Sequence, residues 1–176
     1  LTKTKKALMI GSLVLTMLAP SIASAEVGKT NKDYEKLYGP ESGSHRFLSE
    51  SEIKERLQTE GDIEIQASYG KILWSAEYVV NSFYVIPKAV YVASATNNNI
   101  RILSDAQKNT GSNSTYDIEL VEWNDWANGW AVVQEVEMRI GSKQYEYFED
   151  LDDDVDYRLR VVGNVKGIVT VYQQTR

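Results

Sequence analysis

The stretch "LDDDVDYRLRVVGNVKGIVTVYQ", Leu151–Gln173, is the part of the chain whose reading decides the fold. From Tyr157 onward its apolar residues fall on alternate positions: Tyr157, Leu159 and Val161 share one face, and Arg158 and Arg160 take the other. Alternation with period two marks a strand with one face buried. Gly163 and Asn164 then supply a turn, and a second β-prone run follows. Working back along the chain, the same kind of segment recurs as "DIEIQ", "KILWSAEYVV", "SFYVI", "AVYVAS", "IRILS", "TYDIELVEW", "WAVVQEVEMRI" and "QYEYF", with turn-forming residues between them. From Asp62 onward no helical periodicity competes. Strands at this spacing, without intervening helices, predict a mainly β domain over residues 62–176, an antiparallel β-sandwich.

Leu151 stands six residues before Tyr157, at the entry to the alternating run. This arrangement resembles the tyrosine corner of Greek-key β-sandwiches, as found in fibronectin type III and immunoglobulin-like domains. The resemblance implies that the Tyr157 ring is buried and that its hydroxyl bonds a backbone group upstream. It also implies that "GNVKGIVTVYQ" supplies the last strand of a hairpin. The turn lacks the Pro-Gly pair common in fibronectin type III domains.

Glu149, Asp150, Asp152, Asp153, Asp154 and Asp156 crowd the connection before that strand. Carboxylates in a loop stay hydrated, and Asp readily turns the chain, so a solvated corner is the plain reading. The alternative is a calcium site from Asp150, Asp152, Asp154 and Asp156, because calcium gathers several carboxylate oxygens. The spacing is not that of an EF-hand loop: no Gly follows the third acid and no Glu closes the site. No cofactor is implied.

The amino end carries an address. Lys3, Lys5 and Lys6 precede an apolar run from Ala7 to Leu18, then Pro20 and Ala23-Ser24-Ala25, the layout of a cleavable secretory signal over residues 1–25. The run is too short for a membrane span. The expectation is therefore a secreted, extracellular chain with no membrane span after cleavage. Cleavage would remove three of 19 basic and none of 25 acidic residues, leaving 16 − 25 = −9. So acidic a chain argues against nucleic acid as a partner. It has no cysteine, so packing alone must hold it, which fits export from a Gram-positive type of bacterium.

Residues 26–61 are polar and poor in β-branched side chains, which places a boundary near Gly61. Within them "FLSESEIKERLQTEG" reads as one short helix. Ser49 caps it, Glu52 reaches back three residues on, and Leu48 is placed to staple against Ile53. Its apolar stripe is narrow, so the segment is a docked arm, a linker or a removable pro-region.

The functional lead is "EWNDWANGW", Glu122–Trp130. A two-residue turn at Asn128-Gly129 would pair Ala127 with Trp130 and put Ile118 and Leu120 on the face of Glu135 and Glu137. The apolar residues Trp130, Val132, Val136, Met138 and Ile140 call instead for the face of Ile118 and Leu120, so a longer loop or a bulge must intervene. Such a loop frees Trp123 and Trp126 from the ladder. Beside Asn124, Asp125 and Asn128 they can stack on a sugar ring or anchor a protein, or else cap the end of the core.

Catalysis has few parts to use. His45 is the one histidine and lies in the polar segment, so Ser-His-Asp, Cys-His and His-rich zinc sites lack components. Glu119, Glu122, Glu135 and Glu137 read as an exposed sheet face. The expected function is a non-catalytic binding or matrix module for an extracellular glycan or protein. The alternative is an antimicrobial or toxin-like effector released by removal of the segment before Gly61.

Overall fold

The computed structural model describes residues 29–59, 70–92 and 98–173. The expected leader, the boundary near Gly61 and the strand "DIEIQ" lie outside the described residues. What remains is an antiparallel β-sandwich with two helices. In chain order the elements are α1 (Asn31–Tyr38), β1 (Gly43–Phe47), α2 (Glu50–Thr59), β2 (Lys71–Val80), β3 (Phe83–Val90), β4 (Ile100–Lys108), β5 (Thr115–Asn124), β6 (Gly129–Arg139), β7 (Lys143–Phe148), β8 (Tyr157–Val162) and β9 (Val165–Gln173). One sheet runs β1-β2-β9-β4-β7 and the other β3-β8-β5-β6. Among the described residues no helix is long and apolar enough to cross a membrane.

The core lies where alternate side chains of the two sheets meet. Tyr78, Val80, Ile100, Ile102, Val169 and Val171 from one sheet face Ile86, Tyr116, Ile118, Leu120, Leu159 and Val161 from the other. One polar cluster bridges the layers. The Tyr116 hydroxyl donates to Ser104 Oγ at 2.7 Å, Tyr78 meets the same oxygen at 3.1 Å, and Ser104 donates to the Ile168 carbonyl at 3.2 Å. Three buried hydroxyls are thereby matched without water, as burial of polar groups demands. At Gly167 the sheet closes so tightly that a Cβ would stand 2.4 Å from the Asp105 carbonyl oxygen.

The corner at Tyr157 has the expected local geometry. The ring is buried with Leu151, and the Asp152 N–H donates to its hydroxyl oxygen at 3.1 Å. The expected hairpin does not form. β8 pairs with β3 and β5, whereas β9 pairs with β2 and β4 in the opposite sheet. Gly163, at φ 141°, is the hinge of that crossing, and its N–H donates to the Ser82 carbonyl at 2.7 Å. "SFYVI" and the first two residues of "AVYVAS", Ala89 and Val90, merge into β3, whose register against β8 shifts between Ile86 and Val90 around Pro87. Proline cannot donate to a ladder, so the strand is irregular there.

The polar segment adds structure to the sandwich. β1 pairs antiparallel with β2 at the edge of the five-stranded sheet. α2 starts with the expected reciprocal cap: the Ser49 N–H donates to Glu52 Oε2 at 2.8 Å, and the Glu52 N–H reaches Ser49 Oγ at 3.4 Å. Arg46 ties Glu52 to Glu77, and with the cap bonds it holds the Glu52 carboxyl down at about 2. The second helix, α1, is an addition to the sequence reading. Thr30 donates both its N–H and its hydroxyl to the Asp33 carboxylate at 2.9 Å, and Gly39, at φ 81°, ends the helix.

Candidate functional site

The outer face of the four-stranded sheet carries three zones in succession: a tryptophan hairpin, a buried clasp under α1, and a group of carboxylates. Register explains each. β5 and β6 pair one-to-one from Thr115↔Arg139 to Leu120↔Gln134, then Val121 pairs with Val132. Val133 is the extra residue of a bulge, and an extra residue switches which face the following side chains take. Val136 and Met138 therefore lie with Ile118 and Tyr116, as expected. Trp130 and Val132 do not. They fall on the outer face with Trp123 and Val121, which corrects the expectation that they share the face of Ile118 and Leu120.

Beyond the bulge the strands continue through Trp123↔Trp130 and Asn124↔Gly129, so the turn is the four residues Asp125 to Asn128. Trp123 thus remains in the ladder, and only Trp126 leaves it. Side chains fasten the turn. Asn124 Oδ1 accepts the Ala127 N–H at 3.0 Å, the Trp123 indole N–H donates to Asp125 Oδ1 at 2.9 Å, and the Asn128 N–H meets the Asp125 carbonyl at 3.3 Å. Asn128 adopts φ 49°, a left-handed conformation that asparagine tolerates. Trp126 is 100% exposed at the tip and Trp123 47% exposed beside it. Trp130 meets Trp123 edge to face at 5.4 Å, and the Arg158 guanidinium lies over the Trp130 ring at 4.5 Å. Asp125 and Asn128 are exposed and Asn124 is half-buried. The structure therefore brings Trp123, Asn124, Asp125, Trp126 and Asn128 together on one hairpin and adds Trp130 and Arg158 to their side.

The clasp corrects the expectation of an exposed acidic face. Glu119 is buried, and so is Arg160 across from it on β8. Arg160 Nε donates to Glu119, the Tyr34 hydroxyl donates to the other carboxylate oxygen, and Arg160 Nη1 donates to Asn31 Oδ1 at 2.7 Å. The guanidinium also stacks over the Tyr34 ring at 3.7 Å. Around them Phe83, Val85, Val121, Val132 and Val162 form a second apolar cluster beneath α1. Burial raises the Glu119 carboxyl, while Arg160 and Tyr34 pull it back; burial likewise pushes the Tyr34 hydroxyl up, with the Glu119 hydrogen bond and charge acting in the same direction.

Beyond the clasp, Asp117 shares its face with Glu119, Glu135 and Glu137. Burial first, then the charges of Glu135, Glu119 and Glu137, lift the Asp117 carboxyl to about 7. Among the described residues no three imidazole or carboxylate groups are set to hold a metal ion. Asp150, Asp152, Asp154 and Asp156 all point to solvent on their loop, where Asp150 takes φ 54°. His45 Nδ1 lies 2.8 Å from the Tyr84 hydroxyl, and its ring packs against Phe47.

What the fold and site define is an antiparallel β-sandwich that presents a fastened tryptophan hairpin. No family model and no curated protein matches the chain. Among solved structures, the chain is similar to a crystal structure of PirA, with TM-score 0.35 and 15% identity over 56% of this chain and 91% of that one. It is also similar to the family 11 carbohydrate-binding module from Clostridium thermocellum in complex with a β-1,3-1,4-mixed-linked tetrasaccharide. There the TM-score is 0.33 and the identity 14%, over 77% of this chain and 86% of that one. Similarity at this level carries no inference about ligand or activity.

Proposed function

We propose that this protein is a secreted, non-catalytic binding module that holds an extracellular glycan on the tryptophan hairpin. The observation that carries the reading is Trp126, wholly exposed at the tip of a turn fastened by Asn124 and Asp125, with Trp123 half exposed beside it. Water contact with that much apolar ring is unfavourable unless a partner covers it. A turn already held by side-chain hydrogen bonds presents the rings with little ordering cost on binding. The electron-rich indole face suits the electropositive C–H face of a hexose, and Asp125 and Asn128 lie close by for its hydroxyls. The tip projects rather than encloses, so it fits an extended polymer better than a small molecule, whose sites are concave.

On this reading the leader ends at Ala25, and the segment that follows stays in place. The alternative, an effector released by cutting near Gly61, would strip β1 from its sheet and α1, with Tyr34, from the second apolar cluster, exposing Phe83, Val85 and Val162. That weighs against it. The test is a glycan array probed with the full chain and with Trp126→Ala. Retention of a defined glycan class by the first and its loss in the second supports the module. Retention of none, with capture of a cell-surface protein lost in Trp126→Ala, would replace the glycan with a protein partner.

A further inference from the structure

We infer that Arg158 is the specificity-determining residue of this site and selects a glycan bearing a negatively charged oxygen group, a carboxylate before a sulfate. The inference rests on the glycan-binding reading above and names the class of sugar. Three observations lead to it. Arg158 reaches from β8 across β5 to lay its guanidinium over the Trp130 ring, at 4.5 Å, on the same outer face as Trp123. The acids nearest the hairpin already have donors: Glu119 takes Arg160 and Tyr34, and Asp125 takes the Trp123 indole N–H, while Asp117, Glu135 and Glu137 lie farther along the face beyond the clasp. Arg158 has no carboxylate partner among the described residues, and its Nε is buried without a hydrogen bond.

In a chain of net charge −6, a cation without a carboxylate partner is the notable feature of the hairpin side. Stacking on Trp130 fixes the plane of the guanidinium, and a planar fork held in place matches the two oxygens of a carboxylate. The pairing is made by the Nη groups at the end of the side chain; Nε stays buried behind them. Trp126 and Trp123 would then hold the sugar rings while Arg158 reads the charged substituent. A neutral polymer can occupy the tryptophans but leaves the guanidinium unmatched.

The experiment is isothermal titration of the full chain against oligogalacturonate, a sulfated dextran and neutral dextran oligosaccharides. Arg158→Gln, Arg158→Lys and Trp126→Ala are titrated alongside, with urea unfolding to confirm that each folds. The expected result is preference for oligogalacturonate that weakens as salt rises. Arg158→Gln should lose about tenfold or more in affinity for the charged sugar, a loss clearly larger than any for the neutral one. Arg158→Lys should recover part of the loss, keeping charge without the fork. Preference for sulfated dextran over oligogalacturonate overturns the carboxylate assignment. Equal affinity for charged and neutral sugars, or selectivity unchanged in folded Arg158→Gln, overturns the role of Arg158. If Trp126→Ala still abolishes binding in that case, the hairpin reading stands alone. If no sugar binds the wild-type chain, both readings fall.

Discussion

Arg160 and Glu119 pair across neighbouring strands with neither side chain reaching water, and α1 lies on top of them through the Tyr34 hydroxyl. A charge pair removed from water is stabilising only if its remaining donors and acceptors are matched. Here Asn31 and Tyr34, both from α1, supply most of that matching, and Arg160 Nη2 is buried without a partner. The pair therefore holds the amino-terminal helix against the sheet. Breaking it from the side of α1 should be felt throughout the fold. Tyr34→Phe leaves a Glu119 oxygen without its donor and should cost about 1–3 kcal/mol in urea unfolding. Arg160→Met strands a buried carboxylate and should cost about 3–5 kcal/mol.

Asp117 gives the stability a dependence on pH. Its folded carboxyl titrates at about 7, above its ordinary value of 3.8, so the folded state binds more protons than the unfolded state between those values. The contribution is fully present below about pH 4 and is lost as pH rises through about 7. Other acids, such as Glu52, have the opposite slope, so the measurement is a difference. Unfolding free energy followed from pH 4 to 8 should fall more steeply in wild type than in Asp117→Asn. Identical slopes would show that Asp117 is solvated.

The corner can be weighed against a nearby control. Tyr157→Phe removes the acceptor for the Asp152 N–H and should cost about 1–2 kcal/mol. Tyr147 is 40% exposed, and Tyr147→Phe should change stability by no more than about 0.5 kcal/mol. Equal losses in the two variants would remove the corner from the account.

The bulge makes a prediction of another kind. Deleting Val133 removes only the bulge: Val132 and Gln134 become neighbours as their partners Val121 and Leu120 are, so every remaining pair, Trp123↔Trp130 included, keeps its present face. The deletion should therefore keep a cooperative unfolding transition and cost about 1–3 kcal/mol through the lost Val133 packing, whereas Trp126→Ala, at a fully exposed position, should shift it by no more than about 0.5 kcal/mol; loss of the transition in the deletion would show that β6 slips instead.

These elements also show what could be read from the chain alone. β2 and β5 to β9 were legible because their apolar residues alternate, and α2 because Ser49 and Glu52 form a local cap. The need for an offset in the β5–β6 hairpin was legible from the conflict between Ile118 and Glu135. Its place was not, because a bulge at Val133 leaves no local mark and changes only the parity of Trp130 and Val132. Arg160 and Glu119 looked like solvent-facing charges, since their burial depends on a helix more than eighty residues away from Glu119. A signal for α1 existed in Thr30 and Asp33, spaced as a cap, but its single buried residue, Tyr34, gives no periodicity. Arg158 and Trp130 escaped for the same reason: their meeting spans three strands.

The most direct test of the central claim is the affinity of the full chain for its retained glycan, compared with the double variant Trp123→Ala and Trp126→Ala and with Asp152, Asp153 and Asp154 changed to Asn. The account predicts that the tryptophan variant keeps a cooperative unfolding transition and loses binding by about a hundredfold or more, as expected when two stacking side chains are removed from one site. The Asn variant should bind as wild type does. Undiminished binding by the folded tryptophan variant, or loss confined to the Asn variant, would contradict it.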